Sequence, residues 1–95
     1  MIKHLVLFQL KAQYEESDYD ALLEGFRALS VMPFVRNLSF GKDISHRGPF
    51  NFALSCDMET EEQLREYAVH PAHVHLIRDL LPKVEEHREV VDFSY

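Results

Sequence analysis

Along Ile2–Leu10, His4, Val6, Phe8 and Leu10 fall on one side of an extended chain and Leu5 and Leu7 on the other, so neither side is polar. A strand of this kind is expected in the middle of a sheet, covered on both faces. The period then changes. Tyr19, Leu22, Leu23, Phe26 and Leu29 recur at helical spacing behind Ser17, a candidate cap with Asp20 three residues on, while Asp20, Glu24 and Arg27 mark the solvated side. Val35 to Ile44 read as a second strand, with Leu38, Phe40 and Ile44 on one side and Asn37, Ser39 and Gly41 on the other. Ser45-His46-Arg47-Gly48-Pro49 supplies a hairpin turn, and Phe50, Phe52, Leu54, Cys56 and Met58 then alternate strictly with Asn51, Ala53, Ser55 and Asp57. Thr60 with Gln63 forms a capping box before a helix from Glu61 that holds Leu64, Tyr67 and Ala68; beyond Pro71 the apolar face continues through Val74, Ile77, Leu80, Leu81 and Val84. Val90 to Tyr95 close the chain as a fourth strand, with Val91, Phe93 and Tyr95 on one face.

The order βαββαβ predicts an α+β, ferredoxin-like fold: one domain over residues 1–95, with helices on one face only of a four-stranded antiparallel sheet. The other face needs a lid. Since Leu5 and Leu7 point to it, a second copy of the sheet packing there at about 10 Å is the expected solution, giving a homodimer in which two sheets form an α+β barrel. A chain of this size buries only roughly 60 to 65% of its unfolded surface, so a partner would help it.

Composition changes this picture little: 46% hydrophobic and 27% charged residues are those of an ordinary globular protein. The net charge of −6 is spread without any basic stripe, which argues against nucleic acid and acidic membrane as partners. The Met1–Phe8 run is too short for a signal core or a membrane span. Cys56 has no second cysteine to pair with and sits in an apolar alternation, so a buried thiol in a reducing cytoplasm is expected.

Candidate chemistry concentrates in Tyr67-Ala68-Val69-His70-Pro71-Ala72-His73-Val74-His75. On an unbroken helix Tyr67 and His73 would stand about 240° apart, too far round to serve one ligand. Pro71 disfavours a helical conformation at His70, so one helix should end there and another begin with Pro71 at its first position. The kink would bring Tyr67 and His73 together and leave His75 facing water. His73 could then shuttle a proton during enolisation, with Tyr67 donating to the oxyanion. Alternatively His73 satisfies a backbone carbonyl at the break, and Tyr67 is a core residue. His4, on the helix-facing side of the first strand, is either a pocket residue or a satisfied core histidine. His70 and His73, with Glu66 nearby, have metal-like spacing but no third placed ligand, and His70 can equally cap a helix, so no metal is expected. No phosphate-binding glycine loop, nucleophile elbow or Cys/His dyad is present, and no cofactor is expected.

Ile2-Lys3-His4-Leu5-Val6-Leu7-Phe8, the His70-Pro71-Ala72-His73 core with Tyr67 three residues before it, and Val91-Asp92-Phe93 together resemble the stress-responsive dimeric A/B barrel domain family across the chain. The resemblance implies a ferredoxin-like protomer, a dimer of two sheets and, for most members, no assigned activity. It also implies, through the plant polyketide cyclases of the family, a pocket between sheet and helices. The catalytic tyrosine and histidine of those cyclases fall on Tyr67 and His73, and a pocket histidine falls on His4. His70 joins them as a candidate contact to substrate. Two readings follow: a dimeric binder of a small apolar or aromatic molecule, or a cyclase- or lyase-type enzyme using His73 and Tyr67.

Overall fold

The computed structural model describes residues 1–95 as a four-stranded sheet with all helices on one face. Its strands are β1 (Ile2–Leu10), β2 (Arg36–Lys42), β3 (Phe52–Met58) and β4 (Glu85–Ser94), in the order β2-β3-β1-β4 with every neighbouring pair antiparallel. Helix α1 (Glu16–Ala28) links β1 to β2; α2 (Glu61–Val69) and α3 (Pro71–His75) link β3 to β4. After α3 the chain widens into a π-helical turn, Leu76–Leu80, and then tightens into a 3₁₀ turn, Leu81–Lys83. This is the ferredoxin-like arrangement, with β1 in the centre as its two-sided apolar pattern requires.

The core lies between sheet and helices. Val6, Phe8 and Leu10 of β1 and Phe52, Leu54, Cys56 and Met58 of β3 meet Leu22, Phe26 and Leu29 of the first connection and Leu76, Leu81 and Val84 of the second, all buried. Gly25 allows α1 to lie close to the π-helical turn, since a Cβ there would stand 2.3 Å from Leu80 Cδ1. On the far face Leu5 and Leu7 are only half buried, while Val91 and Phe93 of β4 remain 51% and 43% exposed beside them. One polar knot interrupts this face. The Asp57 carboxylate takes a hydrogen bond from Asn37 Nδ2 at 2.8 Å and lies 3.1 Å from Lys3 Nζ. Asn37 reaches it from a left-handed backbone (φ 53°), a conformation asparagine tolerates, where the β2–β3 register shifts.

Local chemistry departs from the sequence pattern at several places. Ser17 is not a cap: α1 starts one residue before it, from an extended Glu15 whose side chain makes no capping bond, with Glu16 and Asp18 supplying negative charge in the first turn. The second strand is shorter than Val35–Ile44 and leaves Ile44 91% exposed in the turn, where Asp43 accepts hydrogen bonds from Ser45 and His46. The third strand likewise starts at Phe52, not Phe50. The last strand begins at Glu85, five residues before Val90, because β1 offers ladder partners as far as Leu10↔Glu85. The Thr60–Gln63 box holds as expected, with Gln63 N donating to Thr60 Oγ1 at 3.1 Å and Gln63 Oε1 accepting from Glu59 N at 2.9 Å.

Candidate functional site

The helix break forms as Pro71 dictates. His70 is extended (φ −65°, ψ 140°), α2 stops at Val69, and Pro71 opens α3 at its first position. The His70 imidazole is used locally, its Nδ1 accepting from Ala72 N at 3.0 Å and so capping α3. His70 does not line the cavity described below, and it is not helical, so the i, i+3 geometry that pairs it with His73 does not arise. No three His, Cys, Asp or Glu side chains gather around one point. His75 points outward, as expected, and pairs with Asp79 at 2.8 Å.

The same break brings Tyr67 and His73 together, with ring centroids 4.5 Å apart. His4 rises from β1 to meet the same phenol, its ring centroid 5.0 Å away in an edge-on contact. All three line a cavity of about 280 Å³ whose walls are otherwise mainly apolar: Val6 and Phe8 from β1, Phe26 from α1, Leu54 from β3, and Leu76, Ile77 and Leu81 from the second connection. The π-helical turn explains why Leu76 and Ile77, adjacent in sequence, both reach it, because the wider winding turns consecutive side chains through a smaller angle. A larger dent of about 900 Å³ follows the loop after β1, but polar side chains such as Lys11, Gln13, Asp18 and Lys83 line it and no candidate residue reaches it.

Each of the three groups has a defined hydrogen-bonding state. His73 Nδ1 lies 3.0 Å from the Ala68 carbonyl oxygen, which can only accept, so the ring donates from Nδ1 and keeps its lone pair on Nε2. Burial holds its pKa below the usual histidine value, and the nearby His4 and Arg88 push the same way, while the bond to Ala68 partly opposes them. His73 is therefore a neutral imidazole at neutral pH. Burial raises the Tyr67 pKa, with Cys56 and Asp92 adding to it, so the phenol keeps its proton. No hydrogen bond within the chain contributes to this shift, and the hydroxyl borders the cavity. His4 Nδ1 donates to Asp92 Oδ1 at 2.5 Å, which fixes the ring. A proton donor thus sits in contact with two oriented imidazoles at one end of an apolar pocket.

Of the lining, His4, Tyr67 and His73 were legible as site residues; the apolar walls, Arg88 and the His4 partner Asp92 were not. Asp92 did carry a signal: it alternates with Val91 and Phe93, which places it on the helix side opposite His4. Val90 carries the same alternation signal, two residues before Asp92. Arg88 carried none, lying in the polar run Glu85-Glu86-His87-Arg88-Glu89.

Comparison with known proteins places this geometry. Olivetolic acid cyclase from Cannabis sativa is 22% identical over 77 residues, covering 77% of this chain and 76% of the cyclase. A stress-response A/B barrel domain-containing protein of Arabidopsis thaliana is 28% identical over 81 residues, 83% of this chain but 31% of that longer protein. Among solved structures, a dimeric ferredoxin-like protein of unknown function from Thermobifida fusca superposes with a TM-score of 0.84 at 24% identity, over 99% of this chain and 90% of that one. Hydroxynitrile lyase from Passiflora edulis superposes equally well, TM-score 0.84 at 15% identity, over 97% of this chain and 90% of the lyase. Such distant likenesses in structure speak for the fold alone. The sequence itself matches the stress-responsive A/B barrel domain over residues 2–95, and the chain belongs to that family.

Proposed function

We propose that the chain acts as a homodimer that binds a small apolar or aromatic molecule between sheet and helices, with the ligand's polar group against Tyr67 and His73. The observation that carries this reading is the Tyr67 phenol, a residue only 2% exposed, whose hydroxyl has no partner in the fold yet borders an apolar cavity. The hydroxyl is not sealed in the protein, since the one fully buried side-chain oxygen without a partner is Asp57 Oδ1; it opens on the cavity, where a ligand can reach it. About 280 Å³ suits one aromatic ring with a short substituent, given that roughly 150 Å³ accommodates benzene. The dimer rests on the half-covered Leu5 and Leu7 beside the exposed Val91 and Phe93, and on the dimeric state of the Thermobifida relative.

A catalytic reading is favoured by one further observation, the neutral His73 ring with Nδ1 engaged and Nε2 unengaged. With a bound ketone, His73 Nε2 would take a proton from the carbon beside the carbonyl while the Tyr67 hydroxyl donates to the developing enolate oxygen. The name of the cyclase among its relatives agrees with acid–base chemistry of this kind.

Native mass spectrometry of freshly purified protein reports the dimer and any retained molecule together. Titration with para-methylacetophenone, followed by ring-proton shifts in heavy water, tests the pocket, and deuterium entering its acetyl methyl group tests the enolisation. Expected are saturable binding weakened by Tyr67→Phe, and exchange above the buffer rate that is abolished by His73→Gln. A monomer with no saturable binding overturns the main reading; binding without exchange leaves a binder and removes the enzyme.

A further inference from the structure

We propose that Arg88 makes the cavity selective for a ligand that carries a carboxylate, on an apolar body whose carbonyl end faces Tyr67 and His73; this rests on the cavity reading above. Arg88 is the one permanently charged side chain in a lining otherwise made of apolar groups, two imidazoles and a phenol. It stands on β4 opposite Phe8, whereas Asp92, the partner of His4, stands opposite His4. Those two pairs are four residues apart along β1, about 13 Å of strand. The polar groups therefore mark the two ends of the pocket, with Val6, Val90 and Leu54 between them.

The guanidinium is incompletely used. Arg88 Nη1 donates to Glu85 Oε2 at 2.6 Å, and this is its only ion pair or side-chain hydrogen bond in the chain. An arginine has five N–H donors in a planar fork, so donors remain for a second, planar acceptor. A carboxylate matches that fork in two parallel hydrogen bonds, and the partial burial of the pair, with side-chain exposures of 33% for Arg88 and 11% for Glu85, strengthens such a contact over one in open water. Glu85 holds the guanidinium beside the pocket mouth and also competes with any anionic ligand for it. A neutral aromatic ligand would gain nothing at this end, and an ammonium-bearing one would be repelled.

The test compares two probes of one shape, para-acetylbenzoate and para-methylacetophenone, titrated into the intact protein at low ionic strength. The carboxylate is expected to bind at least about tenfold tighter, ~1.4 kcal/mol. Arg88→Gln should remove that preference, read as the ratio of the two probes' affinities for the same variant, Arg88→Lys should restore part of it, and Glu85→Gln should strengthen carboxylate binding by releasing the guanidinium. Thermal melts of each variant check that the fold persists. Equal affinity of the two probes for the parent protein, or a preference that survives Arg88→Gln, overturns the inference while the cavity reading stands. Failure of both probes to bind overturns the two together.

Discussion

Replacing Tyr67 by phenylalanine removes one oxygen and nothing else, so its effect on stability measures what that oxygen does for the fold. The phenol ring is packed against His4 and His73 and is 2% exposed, and phenylalanine keeps these contacts. Losing a buried, hydrogen-bonded hydroxyl costs about 1 kcal/mol, and more where the partner is left stranded. Here no hydrogen bond to the hydroxyl exists in the chain, so nothing is stranded. Removal should instead recover part of the desolvation cost of a buried polar group, about 1–3 kcal/mol when burial is complete. Because the hydroxyl borders a cavity, we expect the low end: stability unchanged or raised by up to ~1 kcal/mol, which for a domain of this length is a melting temperature higher by up to 4–8 °C, roughly. Urea melts at one protein concentration, held well above that at which dimers dissociate, give the value, with the denaturant slope as a control. Binding of the aromatic ketone should fall at the same time. Destabilisation by more than ~1 kcal/mol at unchanged slope would show that the hydroxyl is tied into the structure, and would refute its assignment to a ligand.

Three further outcomes are expected. His73 has a folded pKa below its ordinary 6.5, so the folded state binds fewer protons than the unfolded chain between those two values. Its contribution is fully present above about pH 6.5 and is lost as pH falls through the folded value, and His73→Leu should flatten the stability–pH curve in that window, as read by denaturant melts at several pH values. Leu5→Glu places a charge on the uncovered sheet face and should convert the dimer to monomer in sedimentation velocity at micromolar concentration; a parent protein that already sediments as a monomer contradicts the dimer. The Cys56 thiol, fully buried and pushed up to about 12 chiefly by burial, should react with a thiol reagent at neutral pH only as fast as the chain unfolds, and rapid labelling of native protein would show that β3 opens locally.

The parts of this protein that sequence reveals are those where a single residue or period forces a conformation. Pro71 ends one helix and starts the next whatever surrounds it, which is why the meeting of Tyr67 and His73 could be anticipated. Alternation located the helix-facing sides of β1 and β3 for the same reason. What stayed hidden depends on partners distant in sequence. Glu85 to Glu89 lack a strand-like pattern and become strand because β1 has a free edge beside them, and with that half-strand went Arg88. The role of His70 turned on a single amide, Ala72 N, within reach of its ring, a matter of local backbone geometry that spacing cannot resolve. The π-helical turn likewise left no trace in the apolar period of Val74, Ile77 and Leu80.

Strand β4 belongs to two surfaces at once. Arg88 and Val90 look into the cavity, with Asp92 holding His4 at its end, and Glu89, Val91 and Phe93 look out onto the face where a second copy would sit. As an edge strand it is held to the sheet by β1 alone, so its register and its tilt are less constrained than those of any inner strand. A molecule that grips one side and a protomer that covers the other would both fix the same ten residues, Glu85–Ser94, and each would find part of the ordering already done by the other. Ligand affinity would then rise with protein concentration, and by thermodynamic reciprocity the ligand would tighten the dimer by the same factor.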